Sequence, residues 1–146
     1  MIIIAFLVFW PASRDYIVYR KVNWKGAARY IQQHSGGGEK VVISDCITRG
    51  CLAYYLVPEA EYVVMRKYWL ETINDPRWKI WVINEELIKK IEEKRFSGWV
   101  VIPPVASKGV SKQALSNYNK MMGQPVRQFK MGRRSLNIYY LQSSTG

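Results

Sequence analysis

At 146 residues, 49% hydrophobic and 14% aromatic, the chain is long and apolar enough for one domain with a real core, and too apolar for disorder. A formal net charge of +11 draws it toward phosphate, whether lipid headgroup or nucleic acid. Two cysteines and one histidine leave no zinc-ligand spacing, so no metal is called for.

The first element is an uncharged run, residues 1–12, reading MIIIAFLVFWPA. As a helix it covers roughly 18 Å of a hydrocarbon core about 30 Å thick, too little to span. It has neither the basic start nor the cleavage site of a secretory signal. We read it as the tail of a transmembrane or membrane-interface helix whose beginning lies outside this chain. Phe9 and Trp10 would then sit at the lipid–water boundary, with Arg14, Arg20 and Lys21 beside the headgroups. The alternative is a buried N-terminal strand over Ile2–Phe9, since the run is rich in β-branched and aromatic residues. Trp10-Pro11 favours the membrane, because Trp prefers the interface and Pro stops a helix.

Residues 13–146 then read as a single α/β domain. Trp24, Ala27, Ala28 and Ile31 have the spacing of one helical face, with Asn23 as N-cap and the glycines at 36–38 beyond the end. Val41–Asp45 reads as a buried strand, Cys51–Val57 as a brief helix closed by Pro58, and Glu61–Arg66 as a second strand. A helix around Tyr68–Asn74 stops at Asp75-Pro76, and Lys79–Asn84 forms a third strand. Glu85–Phe96 is amphipathic, Gly98–Pro103 a fourth strand, and Ser111 caps a helix that ends at Gly123. Val126–Met131 and Leu136–Leu141 make a hairpin over residues 132–134. Alternating strands and helices imply an open, mostly parallel sheet with helices on both faces, a Rossmann-like three-layer fold, with the hairpin adding antiparallel strands at one edge.

Few residues in this pattern carry chemistry. The glycines at 36–38 follow a helix and precede a strand, the reverse of a phosphate-binding loop, and so read as a helix cap. The segment Asp45–Gly50 leaves the carboxyl end of a strand, where open α/β sheets bind ligands, so Asp45 and Arg49 could hold a polar group. Set against that, Asp45 would simply cap the next helix and Arg49 would be solvated. Arg66 and Lys67, followed by Tyr68-Trp69, suit an anionic or sugar-like ligand, or equally a lipid headgroup layer. Cys46 lacks a nearby His to act as base, so a nucleophile is rejected; Cys46 and Cys51 either form a disulfide outside the cytoplasm or pack as thiols inside it. Glu85-Glu86 reads as the charged first turn of a helix. Neither a catalytic residue nor a cofactor is called for. The charge is uneven: Glu93 is the last acid, and the nine basic residues from Lys94 to Arg134 have no Asp or Glu among or after them.

The order Asn23–Ile31, Gly38–Ile43, Leu52–Leu56 and Lys79–Ile83 resembles a soluble C-terminal module of polytopic glycosyltransferases, those of the dolichyl-phosphate-mannose–protein mannosyltransferase and aminoarabinose transferase superfamily. The likeness covers residues 11–141, with Asn23 where the family often has Asp. It implies an accessory domain attached to the transmembrane part of an enzyme whose donor is a polyprenyl-phosphate-linked sugar. The catalytic acids of that family lie in the membrane bundle, so none maps here. The resemblance places the domain outside the cytoplasm, whereas the basic residues after the apolar run would by the positive-inside rule hold it in; we follow the resemblance. Partners expected are anionic lipid and the transmembrane part. The alternatives are a free-standing small-ligand or nucleotide-binding α/β protein and a basic nucleic-acid binder, although no nucleic-acid-binding motif accompanies the charge.

Overall fold

The computed structural model describes residues 22–37, 39–44, 46–56, 73–74, 79–105 and 110–144. The apolar run at 1–12, its flanking cations and the expected strand at Glu61–Arg66 lie outside the described residues.

Helix α1 (Trp24–His34) begins where Asn23 accepts a hydrogen bond from the Gly26 amide at 2.9 Å, satisfying one of the unpaired donors of the first turn. Its buried stripe is Trp24, Ala27, Ala28 and Ile31, the face that the spacing predicts. Strand β1 (Lys40–Ile43) follows, then α2 (Cys46–Leu56). That helix starts five residues before the expected Cys51. Thr48 and Gly50 are poor helix formers, but burying Leu52, Ala53 and Leu56 outweighs their propensity.

Strand β2 (Ile73–Asn74) runs antiparallel to β3 (Lys79–Val82). These two residues were expected to end a helix; pairing with β3 offers their backbone a partner instead, and the Pro at 76 biases the chain near it toward extended conformations. Helix α3 (Glu85–Glu92) is capped by Asn84, which accepts from the Leu87 amide at 2.8 Å. Strand β4 (Gly98–Ile102) is buried throughout. Helix α4 (Lys112–Met122) opens at the predicted Ser111 cap, which accepts from the Ala114 amide at 3.0 Å, and ends at Gly123 with φ +77°. Strands β5 (Arg127–Met131) and β6 (Arg134–Leu141) form the expected hairpin around Gly132-Arg133, with Arg134 belonging to the second strand.

The strands assemble in the order β2-β3-β1-β4-β6-β5. Only β3-β1-β4 are mutually parallel, and the other three pairings are antiparallel, so the expectation of a mostly parallel sheet is corrected. The reason is a pairing between distant parts of the chain. β6 pairs along the whole of β4, from Gly98 with Leu141 to Ile102 with Asn137, so the hairpin takes one complete flank. One face carries Val41, Ile43, Ile80, Trp99, Val101, Leu136 and Ile138 against α1 and α2. The other carries Val42, Val100, Ile102 and Tyr139 against α3, α4 and Phe96.

Where β4 begins beside β1, the backbones nearly touch. Gly98 has φ +144°, and a Cβ there would lie 2.5 Å from the Lys40 carbonyl oxygen. Gly98→Ala is expected to destabilise the fold by about 2 kcal/mol or more, through both strain and collision. A urea midpoint unchanged from wild type would contradict this.

Candidate functional site

The connections that follow β1 and β4 part company at the carboxyl ends of these two strands. α2 leaves β1 for one face of the sheet and α4 leaves β4 for the other, so the two connections diverge above neighbouring parallel strands. Open α/β sheets bind ligands at such divergences. Ser44, directly after β1, is buried. Arg49 lies one turn into α2 and is 7% exposed. It is neither on a loop nor solvated. A guanidinium inside a fold calls for partners, and Arg49 makes at least one polar or ring interaction there.

Of the four ligand-binding candidates, Arg49 alone is described. Asp45, Arg66 and Lys67 lie outside the described residues, as do Phe9, Trp10, Arg14, Arg20 and Lys21. Cys46 and Cys51 both belong to α2. Five positions along a helix separate Cα atoms by roughly 7.5 Å in rise alone, beyond the usual disulfide span, so the helix does not bring the two together.

At the opposite end of the sheet lies a cluster that sequence reasoning missed. The Glu39 carboxylate, just before β1, accepts from the Trp99 indole N–H at 2.5 Å, from the Ser35 hydroxyl at 2.9 Å and from the Tyr140 hydroxyl at 3.4 Å. Tyr30 packs edge-on to Trp99 with centroids 6.2 Å apart and stacks on His34 at 4.1 Å, while Trp99 and Tyr140 lie 4.7 Å apart. Arg127 covers Tyr30 at 5.9 Å and Phe129 at 5.5 Å, and the Arg127 guanidinium is exposed. Glu39 therefore ties the end of α1 to β1, β4 and β6. With Trp99 only 3% exposed, the cluster is a brace rather than an open platform for stacking a ligand. No local pattern marks it, since 60 and 101 residues separate Glu39 from its aromatic partners.

A second polar network joins α4 to the sheet. The Asn119 side-chain oxygen accepts from the Tyr139 hydroxyl at 2.6 Å and from the Asn137 amide at 2.8 Å, and its amide donates to the Leu115 carbonyl at 3.0 Å. Burial pushes the Tyr139 hydroxyl above the ordinary tyrosine range.

Tyr140 is also pushed upward, first by burial, then by the charge of Glu39 and the hydrogen bond to it. The folded state therefore holds this proton more tightly than the unfolded chain. The stabilisation is complete below the unfolded tyrosine range and is lost as pH rises through the higher folded value. Difference titration of tyrosinate absorbance between wild type and Tyr140→Phe should show this upward shift, and Glu39→Gln should reduce it. Identical titration with and without the Glu39 charge would refute the coupling. No family model, curated protein or solved structure matches this chain.

Proposed function

We propose that this chain is an accessory, membrane-attached α/β domain of a glycosyltransferase that uses a polyprenyl-phosphate-linked sugar, without activity alone. In this reading the three parallel strands and the helices on both faces form a Rossmann-like three-layer body outside the cytoplasm, with the enzyme's transmembrane part as its partner. The observation that carries it is the unbalanced charge of the C-terminal third. Lys112, Lys120, Arg127, Lys130, Arg133 and Arg134 are all exposed, and no acid follows Glu93. Such a surface is drawn to anionic lipid phosphate, by about 1 kcal/mol for each cation near it. No helix among the described residues is long and apolar enough to cross a membrane, so attachment in this reading rests on Ile2–Trp10.

A buried Arg49, one turn into the helix that leaves the carboxyl end of β1, favours a second reading, a small-ligand-binding α/β protein. Saturable binding of a nucleotide or sugar phosphate, lost in Arg49→Ala and kept in Arg49→Lys, would support it.

The membrane reading is tested by flotation with phosphatidylcholine vesicles, with and without phosphatidylglycerol. Binding to the anionic vesicles should be more than tenfold stronger at low salt, and the preference should shrink as salt is raised. Equal binding to both kinds of vesicle overturns the reading.

A further inference from the structure

The two ends of the sheet differ in charge, and the difference has a direction. Let the carboxyl pole be the end to which β1, β3 and β4 point. The β5-β6 hairpin turns at that pole. β4 stops at Ile102 opposite Asn137, whereas β6 begins three residues further out at Arg134. The turn at Gly132-Arg133 therefore stands roughly 10 Å beyond the end of β4. It carries Arg133 and Arg134, with Lys130 one pair below the last, opposite Ser135. Helix α4 also starts at this pole, since it follows β4, and Lys112 is its first residue.

Helix α1 brings a fifth cation. It ends at His34, with five residues between it and β1, and its Gln32 amide reaches the carbonyls of Tyr55 and Leu56 at 3.4 and 3.5 Å. Those carbonyls lie at the end of α2, so both helices finish at the amino pole. The start of α1, with exposed Lys25, therefore lies at the carboxyl pole, about 15 Å away along the helix. The chain enters the described fold there at Val22, and only the nine residues 13–21 separate it from the apolar run at 1–12. Fully extended, nine residues reach about 30 Å.

Lys25, Lys112, Lys130, Arg133 and Arg134 are all exposed and have no carboxylate partner among the described residues. The described acids at this pole are Glu85 and Glu86 at the start of α3, and Glu86 is paired with Lys90 at 2.5 Å. The amino pole is mixed instead. It holds Glu39, Glu92 and Glu93 among Lys40, Lys89, Lys94 and Arg95, with Arg95 paired to Glu93.

We propose that the carboxyl pole, through Lys112, Lys130, Arg133, Arg134 and Lys25, is the surface that docks on a phosphate-bearing lipid layer. The domain then stands with its parallel strands pointing at the membrane and its Glu39 brace facing away. This rests on the membrane reading and adds its orientation. Charge complementarity picks the occupant: a rim of five exposed cations, against the two described acids Glu85 and the Lys90-paired Glu86, fits a layer of anionic headgroups.

The test uses the full chain and two number-matched variants. One carries Lys112→Gln, Lys130→Gln, Arg133→Gln and Arg134→Gln; the other carries Lys40→Gln, Lys89→Gln, Lys94→Gln and Arg95→Gln at the amino pole. Flotation with phosphatidylglycerol-containing vesicles should show more than a tenfold loss for the first and less than a threefold loss for the second, at roughly fivefold per cation brought close to the surface. Should the first variant fold poorly by circular dichroism, Arg133→Gln with Arg134→Gln alone should still lose more than the second variant. Equal losses, or a larger loss at the amino pole, overturn the orientation while leaving membrane binding intact. A wild-type chain indifferent to anionic lipid sinks the membrane reading itself. Inorganic pyrophosphate, followed by NMR, separates the phosphate sources: shifts that grow without saturation fit a lipid layer. Tight saturable shifts confined to Lys130, Arg133 and Arg134, without vesicle binding, mean a soluble phosphate ligand and overturn the docking surface.

Discussion

The constraint on which the structure depends is the burial of β1 on both of its faces. Val41 and Ile43 point to one side and Val42 to the other, and none of the three has solvent exposure. Each such side chain is worth roughly 1.5–3 kcal/mol when removed from water. That gain is available only if helices cover both sides. The chain meets this by sending α2 to one face after β1, and α3 and α4 to the other after β3 and β4. The divergence of connections at the carboxyl pole is thus a consequence of filling the core, and it precedes any question of what binds there.

A core built this way leaves little room for charge. Among the described residues, Ser44 and Arg49 are the buried polar ones. The other described cations are driven to helix surfaces, the edge hairpin and the two poles. Lys130 and Arg127 on β5 also make an edge strand a poor template for pairing with another chain. Cationic edges therefore serve folding as well as recognition, and the asymmetry between the poles is what singles out the recognition role.

The amino pole is internally satisfied. Glu39 takes hydrogen bonds from an indole, a serine and a tyrosine, and so braces the end of α1 against β4 and β6. Leaving the buried Trp99 N–H without its acceptor would cost about 1–3 kcal/mol. At the carboxyl pole Lys25, Lys112, Lys130, Arg133 and Arg134 are exposed and have no carboxylate partner among the described residues. They remain available to an external anion, and this pole is also where the chain enters the fold after the apolar run.

Local chemistry alone was enough to determine several elements. The caps at Asn23 and Ser111, the apolar stripe of α1, the helix starting at Glu85, strands β1, β3 and β4, and the C-terminal hairpin all follow from spacing, capping and turn residues within a few positions of one another. So does the loss of acids after Glu93. Tertiary structure decided the remainder. It extended α2 back to Cys46, because burying Leu52, Ala53 and Leu56 outweighs Thr48 and Gly50, and it put Arg49 inside. It turned Ile73-Asn74 into an edge strand and made most pairings antiparallel by aligning β6 along β4. It joined Glu39 to Trp99 and Tyr140 across most of the chain, and brought Lys25 and Lys112 to the same pole as the hairpin turn. The physical reason is range: caps, turns and periodicity act over one or two helical turns, while burial, strand pairing and the summed field of charges depend on residues the chain brings together only once it has folded.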